Sequence, residues 1–109
     1  MASSYAIVMI TAPNRVVGRS IANHLVEQGL AACVNILPPM ESIYSWEGKV
    51  SHEEEVLLIV KTRAELVESE VVPAVKSIHP YEVPEIIALP IQGGSQDYLD
   101  WIGSVTKEK

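Results

Sequence analysis

The chain has 109 residues, 48% of them hydrophobic, and carries 14 acidic against 8 basic side chains for a net charge of −6. That length fits one domain spanning 1–109, large enough to fold without metal or disulfide staples. The acid excess repels phosphate backbones and anionic headgroups, and Arg15, Arg19, Lys49, Lys61, Arg63 and Lys76 are dispersed, which argues against nucleic acid and membranes as partners. The single cysteine, Cys33, cannot form an internal disulfide, and Met1 to Ser4 show no charged or apolar leader, so a cytoplasmic protein is expected. The apolar fraction is high for so small a domain and points to self-association.

Tyr5 to Thr11 is an almost unbroken apolar run ended by Pro13-Asn14, as expected of a strand covered on both faces. Val17, Ile21, Ala22 and Leu25 then recur at helical spacing, with Asn14 as N-cap, Gly29 as stop and a costly Gly18 in the first turn. Leu30 to Leu37 reads as a second buried strand broken by Pro38-Pro39. Met40, Ser42, Tyr44 and Trp46 share one face of its continuation. Glu47-Gly48 is a turn signal, and Val50 to Lys61 returns as the other arm of a long hairpin. Val67, Val71, Val75 and Ile78 predict a helix from Glu65 to Ile78, kinked or started late by Pro73. Val83 to Ile91, hemmed by prolines, reads as an edge strand, and Gly93-Gly94-Ser95 opens a third helix on Tyr98, Trp101, Ile102 and Val105. Strand, helix, strand, strand, helix, strand is the split β-α-β order of an α+β, ferredoxin-like sandwich, here with a C-terminal helix added. A hairpin this long overhangs a small sheet, and its Tyr44 and Trp46 face calls for a partner chain.

Conventional chemistry is sparse. Cys33 lies among Leu30-Ala31-Ala32 and Val34-Asn35-Ile36, where a thiol is read as core packing rather than as a nucleophile, since nothing nearby in sequence supplies positive charge. His24, expected on the solvent side of the first helix, His52 and His79 show no metal spacing. His52-Glu53-Glu54-Glu55 reads as a solvated acidic arm with Glu53 and Glu55 on one face and Glu54 on the other. His79-Pro80-Tyr81-Glu82-Val83-Pro84-Glu85 is the densest polar stretch, its imidazole, phenol and carboxylates held between stiffening prolines.

Several of these segments, taken in order, resemble the CutA divalent-cation tolerance proteins. They are Thr11-Ala12-Pro13, Leu30 to Ile36, Ser42 to Lys49, Lys61-Thr62, His79 to Pro90 and Tyr98 to Trp101. The resemblance implies a ferredoxin-like subunit in a tight homotrimer whose hairpins pair with neighbouring subunits, a role in tolerance to divalent metals, copper above all, and no enzymatic reaction. It also implies a cleft between subunits lined by Tyr44, Trp46, Glu55, Lys61, Tyr81, Glu85 and Trp101. Some members carry a cysteine where this chain has Ile10, and a second histidine where it has Ile78. His79 therefore remains as the metal candidate, and weak copper(II) binding that depends on its neutral imidazole is the expectation. The trimer is also similar to that of the nitrogen-regulatory PII proteins, so the alternative is a small-molecule sensor using the same cleft. A hydrolase using Cys33 or His79 is the least favoured reading.

Overall fold

The computed structural model describes residues 4–108; Met1 to Ser3, which bear on the reading of the N-terminus, and Lys109 lie outside them. Strand β1 (Tyr5–Ala12) leads into helix α1 (Arg15–Glu27), whose first turn is closed by Asn14, the side chain accepting a bond from the Val17 amide at 2.9 Å. Gly29, at φ +70°, turns the chain out of α1. Strand β2 is only Cys33–Ile36, shorter than the apolar run implied, because Leu30, Ala31 and Ala32 are buried as a connection instead. Strands β3 (Met40–Trp46) and β4 (Lys49–Arg63) form the long hairpin. Glu47 and Gly48 both take positive φ, 50° and 76°, the conformation a two-residue hairpin turn demands.

The second helical region departs furthest from expectation. A 3-10 turn (Ala64–Leu66), a π-helical stretch (Val67–Val71) and a short α-helix, α2 (Val72–Lys76), follow one another. Pro73 sits in the first turn of α2, where its missing N–H costs little, so the proline starts the α-helix late instead of kinking it. Val71 and Val75 are buried as the stripe required, but Ile78 lies past the helix end and is exposed. Strand β5 is Ile86–Pro90 and helix α3 is Gln96–Val105.

All pairings are antiparallel. The order β2-β4-β1-β5, with β3 attached to β4, places β4 between β1 and β2 and so gives the split β-α-β arrangement. One face of the sheet is dry. Val8, Ile10 and Ala12 from β1 and Val56, Leu58 and Val60 from β4 pack with Ile21 and Leu25 of α1 and with Leu66, Val71 and Val75. Gly18 belongs to this contact. A Cβ there would stand 3.2 Å from both Leu58 Cδ2 and Val56 Cγ2, so the glycine that weakens the helix lets it lie close on β4.

The opposite face corrects the reading of β1 as covered on both sides. Ile7, Met9, Leu57 and Ile59 are only half-buried, and Ile87 and Leu89 on β5 are 53% and 51% exposed. Helix α3 is fastened near its end rather than along its length. Arg63 donates from Nε to Thr106 Oγ1 at 3.0 Å and from Nη2 to the Gly103 carbonyl at 2.5 Å, and the Lys107 amide donates to Gly29 O at 2.9 Å. No helix among the described residues is long and apolar enough to cross a membrane.

Replacing Gly18 by valine should overpack the α1–β4 contact and cost about 1 to 3 kcal/mol. Urea unfolding checks it: a midpoint equal to that of the wild type would show that α1 has room to move.

Candidate functional site

The β3–β4 register sorts the hairpin into two faces. Met40 opposes Glu55, Ser42 opposes Glu53 and Tyr44 opposes Ser51, so Tyr44, Trp46, Glu53 and Glu55 look one way, as the alternation predicted. Glu41, Ile43, His52 and Glu54 look the other, with His52 Nδ1 3.9 Å from a Glu41 carboxylate oxygen in a solvent-exposed pair. The segment after α2 folds against the first face. Together they bound a cleft of about 870 Å³ lined by Tyr44, Trp46, Glu53, Glu55, Tyr81, Glu82 and Glu85 among others, with no lysine, arginine or histidine among the described residues of its wall.

Glu55 is buried and accepts a hydrogen bond from the Tyr81 hydroxyl at 2.8 Å. Loss of water around Tyr81, then the bond to Glu55 and the charges of Glu55 and Glu53, holds its phenol well above the ordinary tyrosine range. Tyr44 shifts in the same direction, through desolvation first and then Glu53 and Glu55. Both phenols therefore stay neutral donors among carboxylates.

His79 is placed differently from a metal ligand. It is buried, with Nε2 2.8 Å from the Thr11 carbonyl and Nδ1 accepting from the Tyr81 amide at 3.1 Å. A carbonyl can only accept, so Nε2 carries the proton, and both ring nitrogens of the neutral imidazole are used. The ring braces the loop: it joins the end of β1 to a segment 68 residues later and tilts at 52° against Tyr81, with centroids 4.8 Å apart. A metal at His79 would first have to break one of these bonds. Among the described residues no three His, Cys, Asp or Glu side chains are grouped to hold a metal ion.

Of the seven expected cleft residues, five come together on the hairpin side: Tyr44, Trp46, Glu55, Tyr81 and Glu85. Lys61 and Trp101 do not. Lys61 lies six residues beyond Glu55 on the same face of β4, about 20 Å along the strand. There it sits opposite Cys33 of β2 and Ile7 of β1, its ammonium donating to Asn35 Oδ1 and lying 3.9 Å from Cys33 Sγ. Cys33 is thus corrected twice. It is half-buried on the open face rather than in the core, and an ammonium does stand beside it. Tyr98 and Trp101 of α3 pack with ring centroids 5.5 Å apart, and desolvation followed by the neighbouring Cys33 thiol raises the Tyr98 phenol above its ordinary value. Sequence reading missed Asn35 and Tyr98 in this second patch; strand period places Asn35 on the Cys33 side, but nothing local links α3 to β2. His24 is half-buried rather than fully on the solvent side.

The family model for the CutA1 divalent ion tolerance protein matches residues 6–105. A chloroplastic CutA protein of Arabidopsis thaliana is 52% identical over 101 residues, covering 93% of this chain and 55% of its own, and the divalent-cation tolerance protein CutA of Thermus thermophilus is 51% identical over 96 residues, covering 88% and 92%. The solved structure of the periplasmic divalent cation tolerance protein CutA from Archaeoglobus fulgidus superposes with a TM-score of 0.91 at 43% identity, over 94% of this chain and 99% of that one. The chain belongs to the CutA1 divalent ion tolerance family. It spans a little over half the length of the Arabidopsis relative.

Tyr81→Phe removes the donor to a buried carboxylate and should cost about 1 to 3 kcal/mol. The folded pKa of Tyr81 is raised, so its contribution is complete below about pH 10, the unfolded value, and is lost as the pH climbs through the folded one. Urea midpoints across the alkaline range should fall more steeply for the wild type than for Tyr81→Phe; parallel curves would show that the bond contributes nothing.

Proposed function

We propose that this chain is a non-enzymatic homotrimer that serves in tolerance to divalent cations, with the cation-attracting surface in the hairpin cleft. The observation that carries the reading is the cleft wall itself. Glu53, Glu55, Glu82 and Glu85 line it with no compensating cation among the described residues, so the local field draws positive ions. These carboxylates do not converge as a built centre, and oxygen donors alone suit hard divalent ions at low affinity. Weak copper(II) binding belongs to the same proposal, and since both His79 nitrogens are engaged, the acidic arm is the better place for it. The cytosol is the proposed site of action, resting on the single cysteine; one relative is named for the chloroplast and one for the periplasm.

The trimer is supported by the apolar open face of the sheet, where Ile87 and Leu89 join Ile7, Met9 and Ile59. It is supported also by the division of the seven cleft residues. On one chain the Lys61–Trp101 patch and the acidic patch stand apart, and a ring of copies is the arrangement that would set the patch of one across the cleft from the acidic wall of the next. A cleft with both a cationic and an acidic wall favours the second reading, a small-molecule sensor similar in layout to PII proteins, in which the ligand rather than the ion carries the signal.

Light scattering at micromolar concentration should return three times the 11.9 kDa chain mass, and Trp46→Ala should weaken association by about 2 kcal/mol or more. A monomeric wild type would end the trimer reading. Calorimetric titration with calcium and copper(II) should show weak binding that Glu53→Gln with Glu55→Gln largely removes and His79→Gln leaves in place. Tight copper binding lost in the His79 variant would put the cation at the imidazole after all.

A further inference from the structure

Lys61 stands out in an acidic chain as a half-buried ammonium that makes no ion pair among the described residues, although Lys107, Arg63 and even His52 each find a carboxylate. What surrounds it is a set of uncharged hydrogen-bonding groups. Asn35 accepts from Lys61 through Oδ1, which leaves its amide N–H groups free to donate; Cys33 Sγ lies 3.9 Å from the ammonium; and the Tyr98 phenol adjoins that thiol. Tyr98 is kept neutral, so its hydroxyl adds a donor. One positive charge amid donors is the complement of a single small anion.

The walls narrow the class of anion. Ile7 stands across β1 from Lys61, Asn35 faces Ile59, and Trp101, 41% exposed, stacks at a tilt on Tyr98. Arg63, two residues along the same face of β4, is committed to Thr106, the Gly103 carbonyl, Glu65 and Glu108, so among the described residues neither a free second cation nor a glycine-rich turn adjoins Lys61 to balance a phosphate dianion, which needs more than one charge or several backbone amides. A carboxylate carries one charge and two acceptor oxygens, and a planar apolar body attached to it would lie against the indole.

We propose that the Lys61–Asn35–Tyr98 patch, with Trp101 as its aromatic wall, binds a small aromatic monocarboxylate. This rests on the reading that the patch opens into the cleft between copies, and it names the ligand class for the sensing role of that cleft. The carboxylate pairs with the ammonium, the Asn35 amide and the Tyr98 hydroxyl donate to its oxygens, and the ring packs on Trp101. The charge sets affinity and the indole sets the preference for aryl over alkyl acids.

The test is calorimetric titration of the full chain with benzoate, indole-3-acetate, acetate and inorganic phosphate, with light scattering on the same samples. Indole-3-acetate and benzoate should bind at least about tenfold more tightly than acetate, and phosphate should not compete. Lys61→Met should abolish binding, Lys61→Arg should retain it, and Trp101→Leu should reduce the aryl preference while leaving acetate unchanged. A trimeric wild type that takes up neither aromatic acid, or a Lys61→Met trimer that binds as the wild type does, overturns the ligand proposal while the trimer stands. A monomeric wild type overturns the assembly on which the proposal rests, and light scattering reports this separately from the heats. Preference for phosphate would assign the patch to a different anion and overturn the carboxylate.

Discussion

A strand of fifteen residues, β4, pairs with β1, β2 and β3 along its length, and the backbone ladder it builds fixes where the functional side chains lie. Because side chains alternate along a strand, Glu53, Glu55, Leu57, Ile59 and Lys61 all look to one side, and Val56, Leu58, Val60 and Thr62 to the other. The second set is the core: Thr62, fully buried, even returns its hydroxyl to the Leu30 carbonyl at 2.6 Å. The first set runs from an acidic cleft, across apolar sheet, to an isolated lysine. A slip of one residue in register would turn core and cleft inside out.

That alternation was largely legible beforehand, which is why the hairpin face of Tyr44 and Trp46, the separation of Glu53 and Glu55 from Glu54, and the Glu47-Gly48 turn all stand where the pattern put them. The cap at Asn14 and the stop at Gly29 were legible for the same reason, since each is a local hydrogen bond or a local dihedral. Cys33 was not. Its apolar neighbours imply burial, but in a sheet whose second face is also apolar, the same composition serves an open surface. Only the pairing of Cys33 with Lys61 shows which face it took.

His79 is the sharper case. Its hydrogen bonds go to Thr11, far away in sequence, and to the Tyr81 amide, so its role is set by a contact that no window along the chain reveals. The resemblance had joined the Thr11-Ala12-Pro13 and His79-Pro80-Tyr81 segments as shared motifs; the structure joins them physically, through the imidazole. The segmented helical region is likewise a tertiary outcome. Val71 and Val75 must reach the core, and the chain between Ala64 and Lys76 passes through 3-10, π and α geometry in turn as they do so.

The two patches are separate on one chain, and the proposed trimer would join them in one cleft across copies. A photoreactive benzoyl-phenylalanine placed at Trp101 tests it most directly, in trimers assembled from isotopically light and heavy chains. The crosslinked peptides should join light to heavy chains and should map to the β3–β4 hairpin around Tyr44 and Trp46 or to the Tyr81–Glu85 segment. Crosslinks confined to single chains, or landing only on α1, would contradict it.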